Sequence, residues 1–182
     1  MSYFKRVNKG RWIAYFYQIN EILSFEPINV LEIGVVFSLN GFILKYEGID
    51  YKSLDIDPNN NPDIIGSITD IPLENKAFDV VCAFQVLEHL PFENSMKALA
   101  EMFRVAKKGV VISLPCVDYN DKDFEYIEVS GHHWEIGYKK YDLNKITTII
   151  SEIGDTYFFD LIKTFRCPEF QYHQFFLLKR WT

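Results

Sequence analysis

Residues 29–58, NVLEIGVVFSLNGFILKYEGIDYKSLDIDP, constrain the fold more than any other stretch of the chain. A short apolar run ends at Gly34, a loop and a short helical segment follow, and a second apolar run ends on Asp55. This is the opening of a βαβ unit. In such a unit a small residue lets the backbone turn sharply under a ligand, and an acidic residue closing the next strand can hold two ribose hydroxyls. The residues between Gly34 and Gly41 do not make G-x-G-x-x-G, which argues against a nicotinamide-dependent dehydrogenase.

The 182 residues suit one domain, and 48% hydrophobic with 24% charged residues is the balance of a globular protein with a single core. No segment approaches the roughly 18 uncharged apolar residues of a membrane span, and the leading MSYFKRVNKGRW lacks the apolar region of a signal peptide, so a cytoplasmic location is expected. Cys82, Cys116 and Cys167 are odd in number and widely spaced, which favours reduced core residues over a disulfide frame or zinc site. A net charge of −6 disfavours a reader of nucleic-acid backbones, which needs a basic face.

Taken in order, residues 11–25 place Trp12, Ile13, Tyr15, Phe16, Ile19, Ile22 and Leu23 at helical spacing before Pro27, with the aromatics expected against a sheet. Strands are expected at 29–34, 51–56, 63–68, 78–84 and 110–114, with helices at 39–45 and 93–106. FDVVCAF, residues 78–84, is a nearly continuous apolar run suited to a central strand buried on both faces. Lys107, Lys108 and Gly109 read as the C-terminal end of the preceding helix. After a polar stretch, 118–140, a helix at 142–153 leads to apolar runs at 156–165 and 169–179 that read as a closing hairpin. Strands alternating with helices imply right-handed crossovers and a mostly parallel α/β sheet, with ligands at the carboxyl ends of its strands.

The order and content of these segments resemble the class I S-adenosylmethionine-dependent methyltransferases of the small, single-domain, type 11-like kind. VLEIG (30–34) resembles that family's first motif, SLDID (53–57) its second, and GSITDIPLENKAFDVVCAFQVLEHLPFE its middle section; MFRVAKKGVVISLP resembles the helix and strand that follow. The terminal QYHQFFLLKR resembles the final antiparallel strand. The resemblance implies a Rossmann-like, doubly wound, seven-stranded sheet with helices on both faces. It also implies one domain over 1–182, comprising an N-terminal helical extension (1–28), a cofactor-binding core (29–115) and an acceptor-side loop, helix and hairpin (116–182).

On that resemblance the cofactor is S-adenosyl-L-methionine. Gly34 would let the first turn approach it, Glu32 would hold the ammonium group through water, and Asp55, followed by Ile56, would accept the ribose hydroxyls. Ser67 and the amide of Ile68 would serve the adenine, and Phe84 and Gln85 would face the methionine moiety. Asp55 also fits as a turn former before Asp57-Pro58, Glu32 as a solvated strand-end charge, and Ser67 as a loop residue. The chain departs from the family where glycines are usual: those places hold Val36 and Ser38. A β-branched valine does not readily adopt positive φ and adds bulk under the cofactor, whereas Ser38 can donate near a helix N-terminus.

Methyl transfer from a sulfonium depends chiefly on proximity, with a base needed only if the acceptor loses a proton. Candidates for the acceptor side are His89 in VLEHL and the run Gly131-His132-His133-Trp134-Glu135, in which one histidine, taken as His133, would pair with Glu135 as base and orienting carboxylate. His89 also fits as a helix cap, and His132 and His133 lack the spacing of a helical metal pair, so no metal is expected. Two functions follow: methyl transfer to a small-molecule or glycan- or lipid-linked acceptor, or a non-catalytic binding or assembly protein whose loop at Val36 no longer takes the cofactor.

Overall fold

The computed structural model describes residues 8–35, 38–117, 131–138, 141–169 and 171–182. Helix α1 (Lys9–Leu23) precedes β1 (Asn29–Ile33), α2 (Leu39–Tyr46), β2 (Asp50–Asp55), β3 (Ile64–Ile65) and β4 (Phe78–Phe84). A short 3-10 turn, Leu87–His89, leads to α3 (Phe92–Val105) and β5 (Ala106–Pro115), and the chain closes with α4 (Leu143–Thr156), β6 (Phe159–Arg166) and β7 (His173–Arg180). The seven strands run in the order β3-β2-β1-β4-β5-β7-β6, with β7 antiparallel to both of its neighbours and the other pairs parallel.

β4 lies in the centre, as its apolar run requires. Its alternate residues feed two cores. Val81 and Ala83 pack with Leu99, Met102 and Phe103 of α3 and with Ile146 and Ile150 of α4, while Val80 and Cys82 pack with Ile22 of α1 and Leu44 of α2. Each fully buried Val, Leu, Ile or Phe contributes about 1.5–3 kcal/mol, so the sheet ends are held rigidly by a continuous double-sided core. The three cysteines are buried. No helix among the described residues is long and apolar enough to cross a membrane.

Three expectations are corrected. The aromatic face of α1 is not all sheet contact: Trp12 and Phe16 are exposed, whereas Gln18 and Glu21 are buried, each held by a distant partner, Asn40 and Lys163. β3 is only two residues long, because the chain leaves the sheet at Gly66, where an added Cβ would lie 2.8 Å from Pro72. Lys107, Lys108 and Gly109 belong to β5 rather than to a helix end. Lys108 pairs with buried Asp79 at 3.0 Å, and a Cβ at Gly109 would meet the Phe25 ring at 2.4 Å, so tertiary contacts extend the strand back to Ala106.

Candidate functional site

The sheet order changes direction between β1 and β4, the point at which an open α/β sheet forms a crevice at its carboxyl ends. Ile33 pairs with Leu54 on one side and with Ala83 on the other. Gly34, Asp55 and Phe84 are the next residues along and therefore stand side by side at three adjacent strand ends. Gly34 has φ +79°, and a Cβ there would lie 2.5 Å from Val86 Cγ2. Its lack of a side chain is thus demanded by the turn and by the segment after β4, which it allows to close over the strand end.

Asp55 is buried but only partly satisfied. Oδ1 accepts the Asp57 amide at 2.8 Å, and Oδ2 has no donor among the described residues. The Asp57 contact is the turn-forming role foreseen for this carboxylate, and it leaves one oxygen for a ligand. Ile56 follows with a side chain that is 72% exposed, an apolar surface at the strand end suited to a flat ring. Ile68 buries its side chain in the core while its amide has no acceptor among the described residues. The Ser67 hydroxyl bonds within its own turn, to the Thr69 hydroxyl at 2.8 Å and from the Thr69 amide at 3.2 Å. Gln85 has φ +57°, unusual for a side-chain-bearing residue and unfavourable by about 1–2 kcal/mol. Its amide donates to Ser113 O and its Nε2 to Ser113 Oγ, which hold the strained turn at the cleft. Phe84 is half-buried, with its ring 6.3 Å from that of Phe175.

Glu32 is placed differently from the expectation of an open strand-end charge. It is 7% exposed and receives Ser38 Oγ at 2.8 Å and the Tyr51 hydroxyl at 2.7 Å on Oε2, and Asn40 Nδ2 at 3.0 Å on Oε1. Burial raises its pKa, with the Tyr51, Ser38 and Asn40 donors opposing the rise. Ser38 also caps α2, accepting the Gly41 amide at 2.6 Å. Tyr51, Asn40 and Gln18 completed this cluster without a motif to mark them. Val36 lies outside the described residues.

A second polar cluster forms beyond the turn that follows β4. Residues 131–138 dock across it: the His133 amide donates to Glu88 O at 2.7 Å, and buried Trp134 donates from Nε1 to Ser95 Oγ at 3.0 Å. This brings His132 to His89, with ring centroids 4.6 Å apart, and His132 Nδ1 to the buried Glu135 carboxylate. The ring paired with Glu135 is therefore that of His132; His133 is exposed, which corrects the choice of histidine. His89 is exposed, with Nδ1 3.3 Å from Gly131 O; its pKa is lowered by burial and by His132. Glu88, which adjoins His89 in the motif but was not singled out, is fully buried, and no other described residue hydrogen-bonds to either of its carboxylate oxygens. Burial, opposed by its own backbone amide and reinforced by Glu135, pushes its pKa up to about 8. Next to this segment, Val117, Ile136, Gly137, Leu143 and Phe165 line a cleft of about 430 Å³.

This sheet, with its acidic β2 terminus beside a glycine turn, is the architecture of the class I methyltransferases. Residues 34–114 match the Methyltransf_11 family, described as a methyltransferase domain. No curated protein matches its sequence. Among solved structures it is similar to magnesium protoporphyrin IX methyltransferase (ChlM) from Synechocystis PCC 6803 with bound SAH, at 15% identity and TM-score 0.68, over 97% of this chain and 89% of the other. The same enzyme with bound SAM aligns at 14% identity and TM-score 0.65, over 94% and 80%. The methyltransferase domain of bacterial CtHen1-CN aligns at 13% identity and TM-score 0.71, over 94% and 100%.

Proposed function

We propose that the chain transfers a methyl group from S-adenosylmethionine to a hydroxyl of a small-molecule or glycan- or lipid-linked acceptor. The observation that carries this reading is the register that sets Gly34, Asp55 and Phe84 side by side, with one Asp55 oxygen open. The residues fit the cofactor: Asp55 Oδ2 has acceptor capacity for ribose hydroxyls, Ile56 offers an apolar face for adenine, and the Ile68 amide offers a donor to the ring. When bound, S-adenosylmethionine supplies an electrophilic methyl group that an acceptor oxygen displaces in line from sulfur. Gln85 and Phe84 border the methyl side of the cleft. His132, oriented by Glu135, and His89 make the acceptor side polar enough to bind a hydroxyl and receive its proton. The acidic net charge favours such an acceptor over nucleic acid. Three buried, widely spaced cysteines suit a reducing compartment, and cytoplasm is the location we favour.

Isothermal titration with S-adenosylhomocysteine tests this reading: heat with the wild type, and binding at least about tenfold weaker in Asp55→Ala, are expected. The engagement of Glu32 by three protein donors favours the alternative, a non-catalytic member of the fold, because it leaves less carboxylate for a ligand ammonium group. A silent wild type that gains binding on Val36→Gly would establish that alternative. Ser38 should be left in place in this test, since it caps α2.

A further inference from the structure

We infer that Glu88, His89 and His132 form a binding site for a divalent first-row transition-metal ion on the acceptor side of the cleft. One donor atom from each of the three lies within 4.8 Å of the others. A tetrahedral ion with bonds near 2.0–2.2 Å spaces its ligands about 3.4 Å apart, so small side-chain rotations close the three donors around one.

Two independent features point to a cation rather than to a chance meeting of polar groups. The first is Glu88, whose burial with neither oxygen bonded to any other described residue is expensive unless a group from outside the chain completes its satisfaction. The second is the state of the rings. His89 Nδ1 faces Gly131 O, and His132 Nδ1 faces the Glu135 carboxylate, which leaves Nε2 of each imidazole for a metal. A carbonyl or carboxylate behind the ligating ring is the arrangement that orients metal-bound histidines and raises their basicity.

The cluster is also held in place. Ser95 Oγ donates to Leu87 O at 2.8 Å and receives Trp134 Nε1, while the His133 amide bonds to Glu88 O, so the backbones carrying the ligands are tied to one another. Two imidazoles and one carboxylate suit Mn²⁺, Fe²⁺, Co²⁺ or Zn²⁺ and leave coordination positions open.

The role of the ion rests on the methyl-transfer reading above. An open position takes the oxygen of the acceptor hydroxyl and lowers its pKa. The hydroxyl proton leaves to solvent, an oxygen lone pair forms the bond to the methyl carbon, and the C–S bond breaks with its electron pair on sulfur, giving S-adenosylhomocysteine. The histidines then serve as ligands, and the ion does the work a base would otherwise do.

The test uses the full chain stripped with EDTA and titrated with MnCl₂, following free Mn²⁺ by electron paramagnetic resonance. One saturable site per chain is expected, with a rise in melting temperature by linkage and imidazole nitrogen couplings in the pulsed spectrum. Glu88→Gln should weaken binding by more than about tenfold, and His89→Ala/His132→Ala should remove the nitrogen couplings. Asp55→Ala should bind Mn²⁺ as the wild type does while losing S-adenosylhomocysteine. Absence of saturable binding of Mn²⁺, Co²⁺ and Zn²⁺, equal binding in Glu88→Gln, or a bound ion without nitrogen coupling would overturn the site. Manganese binding without S-adenosylhomocysteine binding would keep the site and sink the methyl-transfer reading; the reverse would remove only the metal.

Discussion

Glu32 and Glu88 are two buried glutamates at the carboxyl ends of neighbouring strands, one inside β1 and one just beyond β4, and their surroundings are opposite. Glu32 receives hydrogen bonds from Ser38, Asn40 and Tyr51; Glu88 receives none from any other described residue. A buried carboxylate with three donors is part of the architecture, because it pins α2 and the first loop to the sheet. A buried carboxylate with none is a position kept for a partner from outside the chain.

The difference can be broken by mutation. Glu32→Ala takes the shared acceptor from Ser38 and from buried Asn40 and Tyr51 and should lower unfolding free energy in urea by about 3–5 kcal/mol; a loss below about 1 kcal/mol would show that Glu32 is not structural. His173 extends the comparison to a buried base. Burial, with Arg11 adding to it, lowers its pKa from 6.5 to about 4. Because the folded-state value is depressed, its contribution is present above pH 6.5 and is lost as the pH falls from 6.5 to 4, by about 3 kcal/mol. His173→Gln should flatten that part of the stability profile, and an unchanged slope would refute the assignment. The smallest effect falls on the other glutamate: Glu88→Gln in EDTA should stabilise the protein by about 1–2 kcal/mol near neutral pH. Destabilisation there would mean that Glu88 is structural after all.

Much of this was legible in the chain. FDVVCAF could be read as the central strand because an apolar run without alternation suits burial on both faces, and Asp55 could be placed because a strand ending in an acid after a glycine turn has few other uses. What escaped depended on contacts distant in sequence. Lys107 to Gly109 looks like a helix end until Asp79 and Phe25 claim it for β5. Gln18 looks like a solvent-facing helix residue until Asn40 bonds to it at 2.8 Å across 22 positions. His132 and His133 are indistinguishable by spacing. Only the docking of Trp134 into the core decides which ring turns toward Glu135 and which faces solvent.

The central claim is that Asp55, beside Gly34 and Phe84, still holds the ribose of S-adenosylmethionine. Calorimetric titration of S-adenosylhomocysteine into the full chain tests it most directly. Saturable binding that falls at least about tenfold in Asp55→Ala, with the variant remaining folded, is the predicted result. No heat and no thermal shift from the wild type at millimolar ligand would contradict it.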